Sequence, residues 1–199
     1  MIAVITGDII NSRTEKPALW LPTLKKVLQH YGKSPEKWEI FRGDSFQLIT
    51  APKNAFLTAI HIKAAIKQNK DLDVRMGIGV GEQDHKADKI SESNGTAFVR
   101  SGSSFEALKK QNLGIQTGKP QVDEPLNLMF SLALLTANTW SPTVAATILT
   151  FIEHPGKSQT EIGSILKRSQ SSLSEALKRG GFEEIRNLDD FYRKQMSVL

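Results

Sequence analysis

Two carboxylates stand where the chain could bring them together. Asp8 follows Gly7 at the end of the apolar run Ile2-Ala-Val-Ile-Thr6, and Asp44 lies in Arg42-Gly43-Asp44-Ser45, between the β-prone runs Glu39–Phe41 and Phe46–Ile49. A turn of this composition between such runs predicts a β-hairpin with Asp44 at its tip. Two carboxylates suffice for Mg²⁺, whose octahedron is then completed by waters and phosphate oxygens. The stretch Ile9-Ile10-Asn11-Ser12-Arg13 reads as a loop leading to a helix, and backbone N–H groups there suit phosphates. Asn11, Ser12, Arg13 and Arg42 are the candidate phosphate contacts. The chemistry expected is therefore binding of a nucleotide or other phosphorylated ligand with Mg²⁺ as cofactor. Gly43-Asp44 also satisfies a tight turn with no further role.

A second constellation lies near the C-terminus. Gln159–Leu166, the break Lys167-Arg168-Ser169 and Gln170–Arg179 have helix-turn-helix spacing. Ser158 with Glu161 forms a capping box, and Ser169 caps the second helix. Ile162, Ile165, Leu166, Leu173, Ala176 and Leu177 form the inner faces. Ser169, Gln170, Ser171 and Ser174 are left outward at the start of the second helix, where base edges are read. Lys167, Arg168 and Lys178, with Arg179, bracket it as phosphate contacts. A helix-turn-helix used for protein contact, including self-association, fits the same pattern.

The elements that position these residues follow from periodicity. Ile2–Thr6 reads as a buried central strand. Pro17–Tyr31 carries apolar residues at helical spacing and stops at Gly32. Pro52 opens a second helix that closes near Lys70. Asp73–Gly81 alternates Val74, Met76, Ile78 and Val80 with Arg75, Gly77, Gly79 and Gly81. That is a strand with one face stripped to glycine, which marks a close approach by a ligand or by a packed helix. Glu82–Gly95 reads as a polar loop, about 97–111 as a third helix and Leu113–Thr117 as a last strand. The order β-α-β-β-α-β-α-β predicts an α+β, ferredoxin-like sheet with helices on one face. Gly118–Pro125 reads as a boundary, Leu126–Trp140 as a helix, and the remainder as all-α, with or without a wing. The divisions are 1–120 for the sheet domain, 121–140 for the linker and connecting helix, and 141–199 for the helix-turn-helix domain. Leu126–Trp140 is a candidate homodimer helix, or the core joining the two domains.

Composition bounds the function. A net charge of +5 is concentrated in the first 120 residues, so the basic excess does not lie in the helix-turn-helix half. No apolar run reaches the ~18 residues of a membrane span, and Met1–Thr6 lacks the features of a signal peptide. No membrane insertion is expected. Absence of cysteine excludes thiolate metal sites and suits a cytoplasmic location. His30, His61, His85 and His154 show no local ligand spacing; His61 reads as a surface or boundary residue, and His85 in the polar loop is the one to watch. Ser103 and Ser104 do not form a nucleophile elbow.

Gly7-Asp8-Ile9, Gly43-Asp44-Ser45-Phe46 and Val74-Arg-Met-Gly-Ile-Gly-Val-Gly81, in that order, resemble the core of class III nucleotidyl cyclases. Diguanylate cyclases share the hairpin logic. The resemblance covers about residues 1–117 and implies Asp8 and Asp44 as metal ligands, with the Ile9 carbonyl as a third. Val99 and Ser103 stand where the cyclases carry an Asn and an Arg that stabilise substrate and transition state. Residues 141–199 resemble the helix-turn-helix of MarR-type repressors and of sigma-factor-like regulators. The whole chain is similar to the SatD family of bacterial proteins, which begin with Gly-Asp-Ile and end in a helix-turn-helix. The resulting expectation is a ligand-responsive, DNA-binding transcription regulator. The alternatives are a Mg²⁺-dependent cyclase-type enzyme acting on a nucleoside triphosphate, and a non-catalytic scaffold.

Overall fold

The apolar run that opens the chain becomes the central strand of a five-stranded sheet, in a computed structural model that describes all 199 residues. Strands β1 (Ile2–Ile10), β2 (Trp38–Phe41), β3 (Ser45–Thr50), β4 (Asp73–Gly81) and β5 (Leu113–Gln116) lie in the order β2-β3-β1-β4-β5. β1 is antiparallel to both β3 and β4, β2 is antiparallel to β3, and β5 joins β4 in parallel. The first four strands thus make the split crossover pattern, to which β5 is added. β1 runs two residues beyond Asp8, so Ile9 and Ile10 are strand and not loop. The hairpin closes through the three-residue loop Arg42-Gly43-Asp44, with left-handed φ of 52° at Arg42 and 89° at Gly43.

Helices cover both faces of the sheet. Ala3, Ile5, Ile9, Val74, Met76, Ile78 and Val80 are buried with α1 (Pro17–Gln29) and α2 (Ala55–Ile66). Gly77, Gly79 and Gly81 face α3 (Thr96–Ala107) on the other side. A Cβ at Gly79 would lie 2.2 Å from both the Ala97 carbonyl and the Ser101 amide. The bare glycine face therefore receives a helix, and the expectation of helices on one face is corrected.

The remaining helices are α4 (Pro120–Ala137), α5 (Pro142–Glu153), α6 (Gln159–Leu166), α7 (Gln170–Arg179) and α8 (Phe182–Ser197), and no strand or wing follows β5. No helix is long and apolar enough to cross a membrane. The Gly118–Pro125 segment is mostly the start of α4, with Pro120 in the first turn, where its missing N–H is harmless. α4 lies along β5 and satisfies its edge. Asn127 donates to the Ile115 carbonyl and accepts from the Ile115 amide, both at 2.9 Å, and Asp123 accepts from the Thr117 amide at 2.8 Å. Covering an edge in this way removes its unpaired backbone groups.

One continuous hydrophobic cluster of 39 buried residues runs from Ala3 to Met196. Phe56 of α2 stacks on Phe130 of α4 at 4.8 Å between ring centroids, and Tyr192 of α8 tilts against both. A buried polar knot reinforces the seam. Lys63 donates to Asp73 at 2.6 Å and to the Asn138 side chain at 2.7 Å, while Lys67 donates to the Asn138 carbonyl at 2.8 Å. Burial lowers the Lys63 pKa, opposed by Asp73. Such a pair resists the loss of one partner, because the other would remain buried and charged.

Candidate functional site

The sheet brings Asp8 and Asp44 to the same end. Asp8 lies opposite Ser45 on one side and Arg75 on the other, and the Ile9 amide donates to the Asp44 carbonyl at 3.2 Å. Arg75 is the neighbour that sequence reading missed as a site residue. Its Nε donates to Asp8 Oδ1 at 2.8 Å and its Nη2 to Asp8 Oδ2 at 2.7 Å, while the guanidinium lies 4.8 Å from the Phe105 ring centre. These hydrogen bonds hold the Arg75 pKa above its ordinary value. Ser12 donates to Asp44 Oδ2. Asn11 adopts a left-handed backbone with φ of 63° and its side chain donates to the Asp71 carbonyl at 3.0 Å. Arg13 and Arg42 are exposed.

This arrangement is a guanidinium–carboxylate site. Both oxygens of Asp8 accept from Arg75 and one oxygen of Asp44 accepts from Ser12, so a cation there competes with Arg75 for Asp8. The arrangement places Arg75, Arg13, Arg42 and the Ser12 hydroxyl around one end of the sheet. On α3, Val99 and Ser103 are exposed, and Arg100 is spent on the Val80 carbonyl at 2.7 Å.

A second cluster joins residues that have no spacing relationship in sequence. His30 caps the end of α1, His61 lies in the middle of α2, and Glu153 ends α5. His30 Nε2 lies 3.2 Å and His61 Nε2 3.6 Å from Glu153 Oε1. The three donor atoms fall within 4.8 Å of one another, so the cluster has the donors for a metal ion. His61 is only 3 % exposed, which corrects its expected surface placement. Its outward face is covered because α5 packs on α2. Burial pushes the His61 pKa down to about 4, against the opposing pull of Glu153. Nδ1 of His61 pairs with the Tyr31 hydroxyl at 2.6 Å. His85, by contrast, is exposed and bridges to Asn94 through the backbone.

The segment expected to form a helix-turn-helix packs as three helices, α5, α6 and α7. Ser158 and Glu161 form the capping box and Lys167 takes the left-handed turn conformation with φ of 53°. Ser169 accepts from the Ser172 amide at the start of α7. Ile162, Leu173 and Ala176 are buried, whereas Ile165 is 46 % exposed and leaves the inner face. Lys167, Ser169, Gln170, Ser171, Ser174 and Lys178 are exposed. Arg168 is not free: its Nη1 donates to the Thr143 carbonyl and the Thr147 hydroxyl, each at 3.2 Å, fastening the turn to α5. Ser174 and Lys178 line a groove shared with Glu183, Glu184 and Asp190 of α8, which narrows the basic strip. Leu128, Leu132 and Leu135 form an exposed apolar row on α4.

No protein-family model matches the chain, and no curated protein matches it in sequence.

Proposed function

We propose that this chain is a DNA-binding regulator of the SatD type, in which the cyclase-like sheet half binds a phosphorylated ligand and α6–α7 contacts DNA. The observation that carries the reading is the start of α7. Gln170, Ser171 and Ser174 stand exposed after the turn, and Lys167 projects from the turn itself. Hydroxyl and amide side chains at the N-terminal end of such a helix are suited to base edges, and a flanking lysine to the phosphate backbone. The narrow basic strip favours binding as a homodimer, which pairs two half-sites; the exposed leucine row of α4 is a surface for that association.

At the sheet, Arg75, Arg13, Arg42, Asn11 and Ser12 are the ligand contacts in this reading. A phosphate competes with Asp8 for Arg75, and Mg²⁺ at Asp8, Asp44 and the Ile9 carbonyl belongs to the reading only when Arg75 is so engaged. The second reading is a Mg²⁺-dependent nucleotidyl cyclase-type enzyme. It is favoured by the convergence of Asp8, Asp44 and Arg75 and weakened by exposed Val99 and Ser103 on α3, which offer no charge to a developing transition state.

Selection of duplexes from a randomised pool by the full chain, followed by fluorescence anisotropy over a salt series, tests the regulator. The expected result is an enriched sequence whose log K falls linearly with log salt, because neutralised phosphates release counterions. No enrichment, or a slope near zero, rejects DNA binding. Product analysis with nucleoside triphosphates and Mg²⁺ tests the enzyme.

A further inference from the structure

We infer that His30, His61 and Glu153 form a binding site for a zinc-type divalent transition metal, which joins the helical half of the chain to the sheet half. Three independent features of the cluster lead there.

The first is geometry. A tetrahedral zinc with bonds of about 2.0–2.1 Å separates its ligand atoms by roughly 3.4 Å. The two distances from Glu153 Oε1, 3.2 Å to His30 Nε2 and 3.6 Å to His61 Nε2, bracket that edge. The three atoms fall within 4.8 Å of one another, so the two histidine nitrogens must draw closer to share one ion, a movement that the half-exposed His30 side chain allows.

The second is an orphaned donor set. Nε2 of His61 is buried and has no hydrogen-bond partner, although burying an unpaired polar atom costs free energy. Its other nitrogen is held by Tyr31 at 2.6 Å. In the tautomer whose Nδ1–H donates to the phenol oxygen, the Nε2 lone pair points to the cluster. This is how an outer-shell partner fixes the tautomer of a ligating histidine.

The third is donor chemistry. Two imidazoles and one carboxylate suit zinc and its transition-metal neighbours, whereas Mg²⁺ and Ca²⁺ favour oxygen. Three protein ligands leave a fourth position for water, and the 43 % exposed His30 side chain supplies a path from solvent. The ion ties α1, α2 and the last residue of α5, immediately before the connection to α6.

The experiment uses the full chain stripped with a chelator. Zn²⁺ is titrated against a fluorescent competing chelator, and thermal midpoints are recorded with and without the ion. The expected result is one Zn²⁺ per chain, a raised midpoint, and affinity weakened more than about 100-fold in both His30→Ala and Glu153→Gln, beyond the roughly 10–100-fold typical of an outer-shell loss. Tyr31→Phe falls within that outer-shell range. Co²⁺ in the unmodified chain gives a readout that does not depend on variants folding: the intense visible absorption of a tetrahedral ion is expected. Absence of stoichiometric Zn²⁺ binding, retention of affinity in both ligand variants, or a weak octahedral Co²⁺ spectrum each overturns the assignment.

Discussion

Asp8 and Arg75, directly opposite on neighbouring strands, hold each other through two hydrogen bonds of 2.7 and 2.8 Å. The bidentate fork fixes the guanidinium plane and neutralises the carboxylate. Removing Arg75 therefore leaves Asp8 free to accept a cation. Arg75→Met is expected to create or enlarge a Mg²⁺-dependent rise in thermal midpoint, and Asp8→Asn in the same background to abolish it. The pair is partly exposed, so its loss costs only about 1 kcal/mol of stability. An identical Mg²⁺ response with and without Arg75 removes Asp8 from the set of metal ligands.

Two glycines, one on β4 against α3 and one on the open side of α3, respond oppositely to the same change. Gly79→Ala puts a methyl 2.2 Å from backbone atoms of Ala97 and Ser101, which cannot swing aside as a side chain could. The expected loss is about 3 kcal/mol or more, at roughly 2–4 °C per kcal/mol for a chain of this length. Gly102 lies within α3 with nothing within 4 Å of the added carbon. Gly102→Ala should raise stability by about 0.5–1 kcal/mol through helix propensity. Denaturant melts of both variants check the pair, and a tolerated Gly79→Ala means that α3 does not rest on β4.

Local patterns explain what was legible in the sequence. The alternation of Val74–Gly81, the Ser158–Glu161 capping box and the Pro142 helix start are nearest-neighbour signals, and each element lies where its pattern puts it. The glycine face announced a close approach but could not say whether helix or ligand makes it. Asn127 carries no local signal within the Leu126–Trp140 helix, yet its amide mimics a strand edge for β5. His61 reads from sequence as a surface or boundary residue, and Lys63 lies two positions further along α2. They are buried because α5 and the end of α4 form a further layer, and no local period reports a third layer. For the same reason His30, His61 and Glu153 converge without any spacing motif.

The buried His61 makes stability pH-dependent. Desolvation pushes its pKa from the ordinary 6.5 down to about 4 in the folded chain, so between those values the unfolded chain binds more protons. Stability is then fully present above about pH 6.5 and falls as pH drops toward 4, by roughly 3 kcal/mol at most. Buried Asp189 acts with the opposite sign, because burial raises its carboxyl pKa and its ionisation opposes folding as pH rises. Urea melts of metal-free protein at pH 7 and pH 4.5 isolate the histidine: His61→Gln is expected to flatten the difference. An unchanged pH dependence in that variant assigns it to other groups.

The adjacent turn residues Lys167 and Arg168 carry like charge and separate roles. Lys167 is exposed in the left-handed region, whereas Arg168 donates to Thr143 and Thr147 of α5. Lys167→Asn suits that backbone, since asparagine tolerates it, and removes the charge without touching the turn. If the DNA reading holds, its melting temperature stays level and the log–log salt slope falls by about 1, the signature of one lost phosphate contact. Arg168→Ala should behave the other way, losing on the order of 1 kcal/mol of stability with little change in slope. Paired melts and anisotropy titrations separate the two. A slope change confined to Arg168→Ala would mean that this arginine leaves α5 for the phosphate backbone when DNA binds.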